Sequence, residues 1–215
     1  MRTLILIIAT ALAPHGHASI DLFDGFAEGW RTHWKDQRLF SKPTLYRVST
    51  SDGHPVLHAT SDSANSGLIR EVRIKSPSRS MLRWRWKING PLTAHVSERT
   101  RKGDDYAARV CVVFETSVIP LRTRSIQYVW AAHEPAGSDY PSPYSSNVAM
   151  FVLRSGTGGA GTWRLEERDV LADYRSFFGK DPAEISAVAI MVDTDNTGLS
   201  AEAWFADLEL EAGSS

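Results

Sequence analysis

Met81-Leu82-Arg83-Trp84-Arg85-Trp86-Lys87-Ile88 alternates apolar and cationic residues with a period of two. In an extended strand that period puts Leu82, Trp84, Trp86 and Ile88 on one face and Arg83, Arg85 and Lys87 on the other; in a helix it would scatter both sets around the axis. A strand with one buried and one wet face is the unit from which two-sheet sandwiches are built. The three cations repel one another unless carboxylates or an anionic ligand face them. Cross-strand carboxylates on a solvated face are the simpler expectation, with a ligand-binding face as the alternative.

The same texture recurs along the chain. Short runs rich in β-branched and aromatic residues, separated by Gly, Pro, Ser and Asp, occur at Leu45–Ser49, Val56–Thr60, Gly67–Ile74, Ala108–Glu115 and Ser125–Ala132, and again at Val148–Arg154, Thr162–Glu167, Ser186–Asp193 and Ala201–Leu210. Ten strands predict an all-β fold of two packed sheets. If the Ala108–Glu115 strand lies beside Met81–Ile88, Glu115 neutralises one of its arginines. One helix is predicted over Val170–Phe178, where Leu171, Tyr174 and Phe177 recur at helical spacing, Asp169 caps the start and Gly179 the end. Gly156–Gly161 precedes a strand rather than a helix, so it reads as a hairpin loop and not a phosphate cradle.

The N-terminus reads as a targeting segment. Arg2, the apolar run Thr3–Ala13 and the small residues Gly16 and Ala18 predict a signal peptide over residues 1–18, leaving one domain over 19–215 in the periplasm or secreted. Eleven apolar residues are too few to span a bilayer, so no stable membrane insertion is expected after cleavage. With 24 basic and 25 acidic residues there is no charge excess to draw the chain to nucleic acid. Cys111, the only cysteine, excludes an internal disulfide and sits in an apolar run as a buried filler.

Four polar clusters remain as candidate sites. Asp104, Asp105 and Arg109 precede or open a strand, where they either bind a cation or an anionic group or form a charged turn. Val192-Asp193-Thr194-Asp195-Asn196-Thr197-Gly198 fills positions one, three and six of a calcium-loop pattern, but Thr197 and Trp204 break positions five and twelve, which excludes an EF-hand. Another structural calcium site would need further carboxylates, for which Asp24 and Asp207 are candidates. Tyr128, Trp130, His133, Glu134, Tyr140, Tyr144 and Asn147 combine aromatic faces with polar edges, the pairing a glycan requires; alternation equally allows Tyr128 and Trp130 to be core. Arg164, Glu166, Glu167 and Arg168 read as a solvated strand face without function.

Several of these strings occur together in one family. Gly103–Val110 (GDDYAARV), Tyr128-Val129-Trp130, Pro143-Tyr144, Phe178-Gly179 and Ile190–Gly198, with Phe23-Asp24-Gly25-Phe26, Gly29-Trp30 and Trp84–Lys87, resemble the bacterial exported proteins of the domain of unknown function 3047 family. The resemblance implies a secreted β-sandwich of jelly-roll type, similar to carbohydrate-binding modules, and no established reaction. By fold analogy Phe23–Phe26 and Phe205–Leu210 look like paired terminal strands. The function expected is a non-catalytic module for a glycan or other polyhydroxylated ligand, with Asp193, Asp195 and Asn196 in its site. The alternatives are a polysaccharide lyase or hydrolase using the Asp/Arg cluster and an envelope scaffold protein.

Overall fold

The computed structural model describes residues 18–26, 29–38, 42–93, 95–114 and 123–214. Residues 1–17 of the signal peptide expected over 1–18, and the pairing proposed for Glu115, lie outside these.

Among the described residues the predicted alternation becomes thirteen strands in two sheets. The first sheet has the order β11 (Arg164–Asp169), β6 (Pro77–Ile88), β13 (Ser200–Ser214), β4 (His54–Asp62), β3 (Leu45–Ser51), and β1 (Ala18–Asp21) pairs with the far half of β13. The second has the order β2 (Lys35–Arg38), β5 (Asn65–Lys75), β12 (Glu184–Asp193), β7 (Tyr106–Phe114), β8 (Arg124–Ala131), β10 (Ser145–Ser155), β9 (Asp139–Ser142). All pairs are antiparallel except β8 with β10. The result is a jelly-roll β-sandwich. The terminal strands do pair, but through Ala18–Asp21 opposite Glu209–Ala212; the Phe23–Phe26 stretch that suggested the pairing forms a 3-10 turn just beyond it.

β6 carries the alternation as read. Trp84, Trp86, Leu82 and Ile88 are fully buried between the sheets, where Trp84 meets Trp86 edge-on at 5.5 Å and Tyr128 at 5.4 Å. On the outer face Arg83 pairs with Glu167 (2.7 Å) and Arg85 with Asp207 (2.5 Å). Lys87 lies between two indoles, 4.5 Å from the centre of Trp204 and 5.3 Å from that of Trp163. Cross-strand partners therefore explain the cations. The condition that β7 lie beside β6 is not met: β7 is in the other sheet, because β6 and β7 both bury an apolar face and do so against each other.

The helix α1 spans Val170–Phe178 as predicted. The Asp169 side chain accepts from the Leu171 and Ala172 N–H groups, and Gly179 closes the helix at φ 72°. It follows the edge strand β11 and is tied inward, Asp173 accepting from the Tyr128 hydroxyl (2.7 Å) and Arg168 Nε (2.9 Å). Two expectations fail. Gly156–Gly161 links β10 to β11 in the opposite sheet, so it is a crossover and not a hairpin loop. Glu166 faces the interior, accepting from Trp86 Nε1 (2.9 Å) and Arg154 Nε (2.7 Å), because a buried indole N–H needs an acceptor. No helix among the described residues is long and apolar enough to cross a membrane.

The two faces of β6 make a sharp contrast in stability. Trp84→Ala is expected to cost about 3–5 kcal/mol, and Arg83→Ala, which breaks a solvent-exposed pair, to leave stability nearly unchanged. Urea unfolding of both variants measures the difference; similar losses would mean that β6 does not bury one face.

Candidate functional site

The outer face of the seven-stranded sheet carries a pocket of about 600 Å³ where β5 and β7 begin and β12 ends. Period two places Met191 and Asp193 of β12 on that face, and Arg109 of β7 lies opposite Met191. The register shifts between Met191 and Asp193, so that Asp193 faces Tyr106. The extra residue on β7 turns Tyr106 onto the face that holds Arg109, although residues three apart on a regular strand point opposite ways. Its ring lies 4.3 Å below the Arg109 guanidinium. The turn that launches β7 needs Gly103, since a Cβ there would sit 2.4 Å from the Ser97 carbonyl oxygen.

Arg109 is the hub, 4% exposed. Its Nε donates to Asp193 Oδ1 (2.8 Å), Nη2 donates to Asp193 Oδ2 and to the Asp104 carbonyl (2.7 Å), and Nη1 donates to Gln127 Oε1 (2.8 Å). Asp105 is equally committed. It accepts from the Asn196 and Thr197 backbone N–H groups (3.3 and 2.6 Å), the Asn196 amide (3.1 Å) and the Thr197 hydroxyl (2.7 Å), which folds the Asp195–Gly198 turn back over the start of β7. Asn65, at the start of β5, donates to Asp195 Oδ1 (3.0 Å). Tyr144, 50% exposed, donates to Asn196 Oδ1 (2.9 Å), and Arg101 lies over its ring at 5.2 Å.

Four carboxylates thus gather around one buried guanidinium. Burial pushes the Asp193 carboxyl up to about 7; Arg109 pulls it down, and Asp105 and Asp104 push it further up. Burial also raises Asp104, with Arg109 opposing. Burial would discharge Arg109, but Asp193 and Asp104 outweigh it and hold it charged. Carboxylate oxygens of Asp105, Asp193 and Asp195 lie within 4.8 Å of one another. A calcium ion takes about six to eight oxygens. Here Asp105 and Asp193 already spend theirs on internal donors, so the residues fit calcium poorly.

Of the predicted residues, Asp104, Asp105, Arg109, Tyr144, Asp193, Asp195 and Asn196 come together around this pocket. Tyr128 and Trp130 do not. Both are fully buried in the inter-sheet core, the Tyr128 hydroxyl on Asp173 and Trp130 Nε1 on the Gly156 carbonyl, so neither offers a face to a ligand. Asn147 lies at the start of β10 outside the pocket wall. Asp24 pairs with Arg70 (2.9 Å) and Asp207 with Arg85, so neither supplies the carboxylate missing from the turn; Asp105 does. Asn65, Gln127, Ser142, Val148 and Met191 also line the pocket. Period two marks Gln127 as opposite in direction to Ile126 and Tyr128, while Asn65 carries no local signal at all. Cys111 is buried, its thiol pushed up to about 12 by burial, as a filler's should be.

A family model described as "Protein of unknown function (DUF3047)" matches residues 30–209. No curated protein matches the chain in sequence. Among solved structures, the chain is similar to a family 11 carbohydrate-binding module from Clostridium thermocellum in complex with a β-1,3-1,4-mixed-linked tetrasaccharide (10% identity, TM-score 0.46, 94% of this chain and 98% of that one). It is also similar to a variant of a family 29 carbohydrate-binding module (11%, 0.44, 93% and 94%). A third is the K1 cleaved adhesin domain of Lys-gingipain from Porphyromonas gingivalis (12%, 0.41, 93% and 99%).

The electrostatics predict a pH dependence. An unfolded aspartate titrates near about 4. From there to about 7 the folded chain keeps a proton on Asp193 that the unfolded chain has lost, so this contribution to stability is full at the acid end and declines as the pH rises. Arg109→Met removes the opposing cation and should steepen the decline. The variant is expected to lose about 3–5 kcal/mol near pH 8, where the carboxylates are left unpaired, and less near pH 5. Urea midpoints at the two pH values test this, and equal losses would refute it.

Proposed function

We infer a ligand-binding function for this chain, which belongs to the DUF3047 family: an exported module that takes a glycan or similar polyhydroxylated ligand in the pocket on the outer face of the seven-stranded sheet. The observation that carries the reading is the pairing, in one open pocket, of an exposed tyrosine ring and the apolar Val148 and Met191 with held polar groups, Asp104, Asp195, Gln127 and Ser142. A sugar has an apolar C–H face and hydroxyls that both donate and accept, so it is matched by an aromatic platform beside mixed donors and acceptors. Gln127 keeps its amide N–H groups for a ligand because Arg109 holds only its carbonyl oxygen.

A lyase or hydrolase would need Asp105, Arg109 and Asp193 in one place, and there they are side by side. Their commitments favour binding instead. Asp105 holds four donors and Arg109 grips Asp193 through two bonds, so neither is free to move a proton or to clamp a uronate.

Titration calorimetry of the full chain against a panel of soluble bacterial polysaccharides tests the proposal. At least one should bind, and Tyr144→Ala should weaken it by about tenfold or more while shifting unfolding by no more than about 0.5 kcal/mol. A panel without any binder, or a Tyr144→Ala chain that binds unchanged, would count against it.

A further inference from the structure

We propose that the pocket selects a ligand bearing a primary ammonium group, an amino sugar with its amine free. The inference rests on the glycan reading above and narrows its ligand class. Charge is the first ground. With Asp193 spent on Arg109, the carboxylates of Asp104, Asp105 and Asp195 are offset among the described residues only by Arg101 at the rim, an excess of carboxylate that repels a uronate and attracts a cation.

The second ground is independent of the count of charges. Asp104 lines the pocket, is 5% exposed, and its Oδ1 accepts no hydrogen bond from the described residues. Its ion-pair contact, Arg109 Nη1 at 3.6 Å, is beyond hydrogen-bond reach. Asn65 Oδ1, in the same wall, also lacks a donor, because the amide is turned to give its N–H to Asp195. A buried acceptor left without a donor keeps the full cost of its desolvation. Two beside one pocket call for a donor that arrives with the ligand.

The geometry of the occupied oxygens decides which donor. A divalent ion bound by Asp105, Asp193 and Asp195 would strip the hydrogen bonds that hold the turn and displace Arg109 from Asp193. An ammonium group carries three N–H donors and no acceptor, and asks for three acceptors at hydrogen-bond distance. Asp104, Asn65 and Asp195 line the same pocket and are the acceptors that could turn to it without dismantling Arg109 or Asp105. Tyr144 and Gln127 remain for the sugar ring and its hydroxyls.

The test is calorimetry with glucosamine oligomers, N-acetylglucosamine oligomers and glucose oligomers of equal length, and with spermidine, each in chelator and again with calcium. Glucosamine oligomers should bind at least about tenfold tighter than the other two sugars. Asp104→Asn should erase that preference, and Asp195→Asn, at a more exposed position, should reduce it if the first variant folds poorly. Equal binding of all three sugars would overturn the ammonium assignment and leave the glycan reading standing. Tight binding of spermidine without any sugar would overturn the glycan reading together with the amino-sugar assignment. Binding that depends on added calcium would replace the ammonium by a metal.

Discussion

The bidentate pair between Arg109 and Asp193 is the interaction around which this end of the molecule is organised. Both groups are almost wholly buried, and a buried charge without its partner costs several kcal/mol. The pair joins β7 to β12 where their register shifts, and it sets what surrounds it: Tyr106 below the guanidinium, the Asp104 carbonyl and Gln127 as its remaining acceptors. Asp105, next in the chain, then turns to the Asn196–Thr197 backbone and pins the loop that carries Asp195. The pocket is thereby pre-formed, its polar groups held by bonds to one another before any ligand arrives.

Two other buried carboxylates find their partners inside the fold. Glu166 serves Trp86 and Arg154, and Asp173 serves Tyr128 and Arg168. The pocket differs, because its acceptors outnumber its donors and two residues of its wall, Asp104 and Asn65, each carry a buried oxygen without a donor. That imbalance distinguishes a binding surface from an internal ion-pair network of the same composition.

Much of the sandwich is legible in the chain because strand alternation is a local property. Each of the ten runs that pair β-branched and aromatic residues with turn residues forms a strand, and Asp169 and Gly179 cap the predicted helix. The short strands β1, β2 and β9 are not legible. Lys35–Arg38 has no apolar face, Asp139–Ser142 contains a proline, and Ala18–Asp21 abuts the targeting-like segment, so only pairing with a neighbour makes them strands. Alternation likewise cannot say which sheet a strand joins, so whether β6 and β7 are neighbours was open in the sequence.

By itself the sequence determined the class of fold, the face of each long strand that goes inward, the helix with its caps, and the residue types of the site, since all of these follow from spacing along a few neighbouring positions. Only the tertiary structure decided that Tyr128 and Trp130 are core while Tyr144 is not, and that Asp105 rather than Asp24 or Asp207 completes the carboxylate group. It also decided that Asn65 and Gln127 join the pocket. Those outcomes depend on which strands become neighbours and where one ladder slips by a residue. Pairings between residues 84 and 91 positions apart, such as Arg109 with Asp193 and Asp105 with Asn196, are made by sheet order and leave no periodic trace in the chain.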